Sequence, residues 1–469
     1  MITVPRFILK RFRTLCRRGG LHKYRASNGP VVTLIGGPAG YRMNAASPDV
    51  AIEYRHPDPC DAETIRLPLD ALEACEGRDD APVMIEARSG GGASLSWVDR
   101  GVPRQSEVEQ PQPGTVAFPD TPTTFTPNEP GLWPALRDAV ATTDESSTRY
   151  ALACLHLRGK LGTIEATDGR QVLIQSNFRF GFDDDVLVPG SKLLGSADLA
   201  DGEPVNVVRA GDWIGFGVGR VLVMVRIQKE GRFPKLDQIM PSPSIAKSRL
   251  ELTAADARFL ADTLPRLPCD DELHGPITLD LNGQVLVRSR ESDQGRPTEV
   301  LLAGSKLDGE AVILNTNRFY VERALQLGFR SVCLYGPEAP ALCVADDRRF
   351  LWSVLDGKSA IPRSDEAVRL DSSVASPPAI IRNRKPNPMS LSQPAAVPTA
   401  PKVVKRSQVE RPQNVSDSPI EQTLALRDAL RIAARQANDL LRSLKRQKRQ
   451  SRIVESTLAS LKQLQKVAG

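Results

Sequence analysis

Val205-Asn206-Val207-Val208-Arg209-Ala210-Gly211-Asp212-Trp213-Ile214-Gly215-Phe216, followed by Val221-Leu222-Val223-Met224-Val225, is a β-rich run interrupted only at turn residues. β-Branched and aromatic side chains suit a pleated, half-buried surface, and Gly beside Asp reverses the chain. The run reads as consecutive antiparallel strands. Its counterparts upstream are Pro82-Val83-Met84-Ile85-Glu86, the turn Gly90-Gly91-Gly92, and Ala93 to Val98. Downstream they are Ser331 to Tyr335, Gly336-Pro337, Ala341 to Val344, and Phe350 to Val354.

Each group is preceded by a short helix signal beside a strand: Leu67-Pro68-Leu69-Asp70-Ala71-Leu72, Val188-Pro189-Gly190-Ser191-Lys192-Leu193-Leu194, and Leu314-Asn315-Thr316-Asn317-Arg318-Phe319-Tyr320. Pro in a first helical turn and Asn or Thr as cap are helix-start signals. Further upstream lie a first helix (Pro5–Arg18, Pro130–Ala141, Thr253–Leu264) and a hairpin turning at Gly36-Gly37, Asp168-Gly169 or Asn282-Gly283. The grammar of helix, strands, helix, strands recurs at about 120-residue spacing, and long-period self-similarity outranks local detail. The expectation is an α+β chain with tandem units at 1–120, 121–240 and 241–358; three unrelated α+β domains are the alternative.

Beyond Ser359 the composition changes. Prolines (Pro377, Pro378, Pro386, Pro388, Pro394, Pro398, Pro401, Pro412) stand among Ser, Ala and basic residues without a persistent period, so 359–418 reads as a disordered linker. A smaller Pro-rich stretch, Pro103–Pro122, joins the first two units. In 419–469, Leu426, Leu430, Ala433, Ala437, Leu440, Leu444, Gln447, Ser451, Val454, Leu458 and Leu461 alternate by four and three, the seam of a coiled-coil helix. Arg442, Lys445, Arg446, Lys448, Arg449 and Arg452 surround its polar positions; they suit a solvated face beside a partner helix, or DNA.

The chain of 469 residues has a formal charge of +6, unevenly placed. Residues 359–469 hold 20 basic and nine acidic groups, and residues 1–25 hold eight basic groups and no acidic one, which leaves −13 on 26–358. An acidic body with basic ends argues against indiscriminate coating of nucleic acid and for contact at selected faces. The first helix supplies one such face in Arg6, Lys10, Arg11, Arg13, Arg17 and Arg18, continued by Lys23 and Arg25; a solvated face or a site for another anionic partner is the alternative. Seven scattered cysteines without a CxxC fit reduced thiols and a cytoplasmic protein. No apolar run approaches a membrane span, and no secretory signal is evident.

Chemistry is sparse. His22, His56, His156 and His274 lack metal-ligand spacing, and no carboxylate cluster accompanies them in sequence. Asp183-Asp184-Asp185 reads as a solvated loop, and Gly90-Gly91-Gly92 lacks the Lys-Ser/Thr of a phosphate loop. No nucleophile and base stand together, so neither enzyme activity nor a cofactor is expected.

Several segments resemble the bacterial DNA polymerase III β subunit, the sliding clamp, over residues 1 to about 357. They are Arg149-Tyr150-Ala151-Leu152-Ala153-Cys154-Leu155 with Ala166-Thr167-Asp168-Gly169-Arg170-Gln171-Val172; Glu230-Gly231-Arg232-Phe233-Pro234 running to Ile239-Met240-Pro241; Asn315 to Val321; and the opening MITVPRFILKRF. The resemblance implies three processivity-fold (DNA clamp) domains whose helices line a hole around duplex DNA without reading its sequence. It implies a DNA polymerase or other owners of clamp-binding peptides as partners, a clamp loader, a second copy closing the ring, and a place near the nucleoid. Tyr150 joins the basic first helix as a DNA-facing residue. An apolar peptide groove would use Leu152, Thr167, Gly169, Arg170, Val172, Pro234 and Ile239. The chain departs from the family in having Arg170-Gln171 for a His-Arg pair, and in lacking the family's terminal Met-Pro-Met-Arg-Leu. The ring edge of the first unit falls in Gln105 to Pro111, where charge and proline oppose strand pairing, and the facing surface of the third unit keeps Leu267 beside Pro268. A clamp-derived scaffold that oligomerises through its coiled coil without encircling DNA is the rival expectation.

Overall fold

The computed structural model describes residues 1–24, 30–111, 116–145, 151–197, 199, 202–271, 274–292 and 295–374. Arg25, Tyr150 and the coiled-coil segment lie outside them.

The first unit contains β1 (Ile2–Pro5), α1 (Arg6–Arg18), β2 (Val31–Ile35), β3 (Tyr41–Ala46), β4 (Val50–His56), β5 (Thr64–Pro68), α2 (Leu72–Cys75), β6 (Pro82–Ala87), β7 (Ala93–Asp99) and β8 (Val102–Val108). The second contains β9 (Thr126–Asn128), α3 (Leu132–Val140), β10 (Cys154–Arg158), β11 (Thr163–Thr167), β12 (Gln171–Gln175), β13 (Asp185–Pro189), β14 (Val205–Ala210), β15 (Trp213–Val218) and β16 (Val221–Arg226). The third contains β17 (Ser248–Glu251), α4 (Ala254–Thr263), β18 (Pro276–Leu281), β19 (Leu286–Ser289), β20 (Thr298–Leu301), β21 (Lys306–Gly309), β22 (Val312–Asn317), α5 (Arg318–Gln326), β23 (Ser331–Leu334), β24 (Ala341–Val344) and β25 (Arg348–Trp352). A last strand, β26 (Val368–Asp371), follows it.

The strands form four sheets, and two of them cross unit boundaries. The orders are β1-β6-β7-β8, β5-β2-β3-β4-β16-β15-β14-β9, β13-β10-β11-β12-β25-β24-β23-β17-β21, and β22-β18-β19-β20-β26. Adjacent units therefore share continuous ladders. Val50 to Tyr54 of β4 pair antiparallel with Val225 to Val221 of β16, and Gln171 to Gln175 of β12 with Trp352 to Arg348 of β25. In both joints the third strand of a hairpin group meets the last strand of the following unit. The equivalent third strand in the last unit is β20, which carries β26 in parallel, Thr298 to Leu301 against Val368 to Asp371. The equivalent last strand in the first unit is β8, the outer edge of its sheet.

One apolar core runs through the first two units, from Ile2, Leu9 and Phe12 to Trp133, Leu155 and Phe216. A second fills the third unit around Leu260, Ile277, Val287, Phe350 and Trp352, and Leu173 of β12 belongs to it. The helices bury period-3.6 stripes in these cores: in α1 the stripe is Ile8, Leu9, Phe12, Leu15 and Cys16. Thr253 caps α4 through Asp256 N at 3.1 Å.

Four local expectations need correction. The second-unit helix over 188–194 does not form: β13 ends at Pro189 and turns follow, because Gly195 (φ 70°) sits against the backbone of Arg137 in α3 and Trp133 Nε1 donates to Ser196 O at 2.9 Å. In the third unit Leu314, Asn315 and Thr316 belong to β22, paired with β18; helix α5 starts only after Asn317, whose Oδ1 accepts from Phe319 N at 2.8 Å. Charge and proline do not stop the edge segment from pairing inside the chain, since Val102 to Val108 of β8 oppose Asp99 to Ala93 of β7. Leu267 is buried in the third-unit core, not on a facing surface.

The expected start of disorder at Ser359 is also wrong. After β25 the chain crosses the polar face of the third-unit sheet and ends in β26. Asn315 Nδ2 donates to Ser359 Oγ at 2.9 Å, Ile361 N to Thr278 Oγ1 at 2.8 Å, and Arg288 Nη1 to Ile361 O at 3.0 Å. Polar groups buried beneath the segment hold it through specific hydrogen bonds, which composition does not reveal.

Candidate functional site

Helix α1 sorts its cations by depth. Lys10 is half-buried and Arg11, Arg17 and Arg18 are exposed, with Thr14 between them on the face opposite the apolar stripe. Arg17 and Arg18 occupy the last turn, where positive charge complements the helix dipole. Lys23 is exposed in the turn that follows. Arg18 Nη1 also donates to Ser196 Oγ of the second unit.

Arg6 and Arg13 are different. Both are buried, and their guanidinium groups are committed within the first unit. Arg6 Nη1 reaches Asp79 at 3.2 Å and Asp99 at 3.0 Å, while its Nε donates to Cys75 O at 3.1 Å. Arg13 Nη1 meets Glu76 at 3.2 Å, and its Nη2 meets Glu73. These two anchor α1 to α2 and the chain after it; the expectation that they face DNA is corrected by the acidic residues of the neighbouring helix. Sequence periodicity put all six cations on one helix, and only packing separated anchors from surface.

The β11–β12 hairpin is locked by its own side chains. Gly169 takes φ 88°, which favours glycine. Asp168 Oδ1 accepts from Arg170 N at 2.8 Å and Gln171 N at 2.9 Å. Thr167 Oγ1 accepts from Gly169 N at 3.0 Å and donates to Gln171 O at 2.6 Å. Thr167 is thus buried and fixes the turn. Gly169 lies beside the buried Leu152, and a Cβ there would stand 3.6 Å from Leu152 Cδ1. Arg170 is exposed, and its carbonyl accepts from Ser353 N at 2.9 Å, just past β25. Burial pushes the Tyr320 phenol up, Asp168 adds to the shift, and Arg170 opposes it, which puts α5 beside this hairpin.

Val172 lies across the unit joint from Leu351 and packs with Leu236, Cys333 and Leu342; Phe233, Met240, Ala246 and Tyr335 border the cluster. The linker between the second and third units therefore fills much of the apolar surface here. Pro234 is half-buried within it. Ile239 and Ile245 remain 52% and 67% exposed, an unusual position for large aliphatic side chains. The seven groove candidates thus divide into a set at the hairpin (Leu152, Thr167, Gly169, Arg170, Val172) and two linker residues (Pro234, Ile239).

Beside the linker a cleft of about 580 Å³ is lined by His156, Arg158, Glu165, Asp185 and residues 231–238. His156 Nδ1 lies 2.8 Å from Glu165 Oε2, and Arg158 Nη1 lies 3.0 Å from Asp237 Oδ2. The expected lack of carboxylates around the histidines does not hold: His274 also meets Asp271, three residues before it, at 2.8 Å. The signal was cross-strand, since His156 and Glu165 are direct partners on β10 and β11. Asp184 pairs with Arg209 and Asp185 begins β13, so the acidic triplet is not wholly a solvated loop. Among the described residues no group of three or more His, Cys, Asp or Glu is arranged to hold a metal ion.

Shared ladders between three tandem units, with helices packed against their sheets, are the architecture of the clamp fold. Its solved counterparts are bacterial DNA polymerase III β subunits, the DNA sliding clamps, and this chain has their fold. The sliding clamp of Bacillus subtilis matches with a TM-score of 0.63 at 15% identity, over 76% of this chain and 98% of that one. The Pseudomonas aeruginosa clamp bound to griselimycin gives 0.60 at 17% identity, over 76% and 99%. The Thermotoga maritima β subunit gives 0.60 at 11% identity with the same coverage. No protein-family model and no curated protein sequence matches this chain.

Proposed function

We propose that this chain is a DNA clamp that tethers a polymerase or repair factor to duplex DNA, an accessory protein and not an enzyme. The observation that carries the reading is the three-unit ladder whose N-terminal helix turns Lys10, Arg11, Arg17 and Arg18 to one face. Such cations attract phosphates without reading bases, which is what sliding requires. Polymerase-type peptides would dock near Ile239, Arg170 and Leu152, and a loader would open the ring. No described helix is long and apolar enough to cross a membrane, and a place beside cytoplasmic DNA follows from the proposed role.

The test is retention. The full chain is assembled with nicked plasmid circles, passed through a sizing column, and re-run after the plasmid is linearised. A clamp co-elutes with circles and is lost from linear DNA. Equal retention on both overturns the reading, as does loss from circles both by this chain and by a variant whose β26 strand is broken.

A second reading, a scaffold that does not encircle DNA and assembles through its tail, is favoured by one observation: β26 covers the strand edge that a ring would use.

A further inference from the structure

The two internal joints define a rule. A third strand (β4, β12) receives the last strand of the next unit (β16, β25), antiparallel and over five residue pairs. By that rule β20 is a receiver without a following unit, and β8 is a last strand without a preceding one. Among the described residues nothing pairs with the outer edge of β8, whereas β20 is occupied by β26 in the opposite sense to either joint, parallel and over four pairs.

β26 is a poorer occupant than the internal partners. At the β12–β25 joint Val172, Leu351 and Trp352 are at most 5% exposed. On β26 Val368 and Leu370 are 43% and 38% exposed, so the strand adds backbone hydrogen bonds but little apolar burial. Its hold is polar. Val368 N donates to Pro297 O at 2.9 Å and Ser372 N to Leu301 O at 3.0 Å. Arg363 Nε meets Asp280 at 2.9 Å, and Arg369 Nε lies 3.5 Å from Glu299 Oε1. Arg288, buried between Asp280 and Glu299, links the two contacts. A strand held this way can be exchanged for another that restores the ladder, and among the described residues the outer edge of β8 is open.

We propose that β26 is a removable plug: it occupies the β20 edge that would otherwise receive β8 of a second copy of this chain, and so controls head-to-tail joining. This rests on the clamp reading for its purpose but not for its geometry. Joining two chains through β20 and β8 would repeat the joints already inside each chain.

The test uses the full chain. Val368→Pro with Leu370→Pro removes N–H donors from the plug, and a third change, Gln105→Pro, spoils the β8 edge. Sedimentation velocity compares these with the wild type, so any assembly through the tail is common to all, and circular dichroism checks folding. Arg363→Ala with Arg369→Ala serves if the prolines unfold the third unit. The expected result is self-association about tenfold tighter once the plug is broken, cancelled by Gln105→Pro. A folded plug-broken protein that sediments as wild type overturns the proposal, as does association that ignores Gln105→Pro. Association without retention on circular DNA would sink the clamp reading alone; retention by wild type and variant alike would sink the plug alone.

Discussion

Arg363 donates from Nε to Asp280 Oδ2 across 2.9 Å, which ties the segment after β25 to a carboxylate buried in the third-unit sheet. Arg288 meets the same carboxylate from the neighbouring strand. Three charged groups thus share one site beneath a strand that the repeat pattern does not require.

Acid should release this strand. Burial pushes the Asp280 carboxyl up, but hydrogen bonds from Arg363 and Arg288 outweigh it, and its pKa lies below the ordinary value. A carboxyl with a depressed folded pKa contributes its full stability above the unfolded value of about 3.9, and loses it as pH falls through the folded value. Protection factors for the Val368 and Ser372 amides, relative to the intrinsic rate at each pH, should therefore stay high at neutral pH and fall below about pH 4. Asp280→Asn should give fast exchange already at pH 7. It should also cost roughly 3–5 kcal/mol in denaturation, because Arg288 stays buried with its charge poorly compensated.

The second and third units should be coupled through one ion pair. Arg323 Nη2 of α5 donates to Asp138 O at 3.0 Å and to Asp138 Oδ1 at 3.2 Å. Both side chains are partly exposed, so a double-mutant cycle with Asp138→Ala and Arg323→Ala should return about 1 kcal/mol or less. A coupling near zero would leave the joint to the β12–β25 ladder and the apolar cluster around Val172.

Cations on α1 should separate by role. Arg11→Glu with Arg17→Glu should weaken duplex DNA binding and lower the salt slope by about 1 for each phosphate no longer neutralised, with the melting temperature little changed. Arg6→Ala should instead destabilise the first unit by about 1–3 kcal/mol, since two carbonyls lose a buried donor while Asp79 and Asp99 are exposed enough to be resolvated. Binding measured across a salt series, with thermal melts, distinguishes the two outcomes.

Ile239 and Ile245 should matter for a peptide and not for the fold. Ile239→Asp with Ile245→Asp should leave the melting temperature within a few degrees, because both side chains are mostly in solvent. Affinity for a fluorescein-labelled clamp-binding peptide, measured by anisotropy, should fall about tenfold or more if these side chains supply its apolar contact. Unchanged anisotropy would place peptide binding elsewhere, or remove it.

Local chemistry in the sequence was enough to place the first helices, the hairpin turns at Gly37, Gly169 and Gly283, and most strands, because hydrophobic period and turn preference act over a few residues. It also marked the hairpin at Asp168-Gly169 and the basic helix as functional candidates. Tertiary structure decided what depends on residues far apart in the chain. It decided that Arg6 and Arg13 are anchors and that Thr167 fixes a turn. It set His156 against Glu165 and gave the second unit a packed loop in place of a helix. It also carried the chain past Ser359 into β26. A strand such as β26 has no strong apolar signature, since it exists through an edge offered by β20 and a cation site offered by Asp280 and Glu299. Repeats are written in local pattern; which edge is open and which is closed is a property of the folded molecule alone.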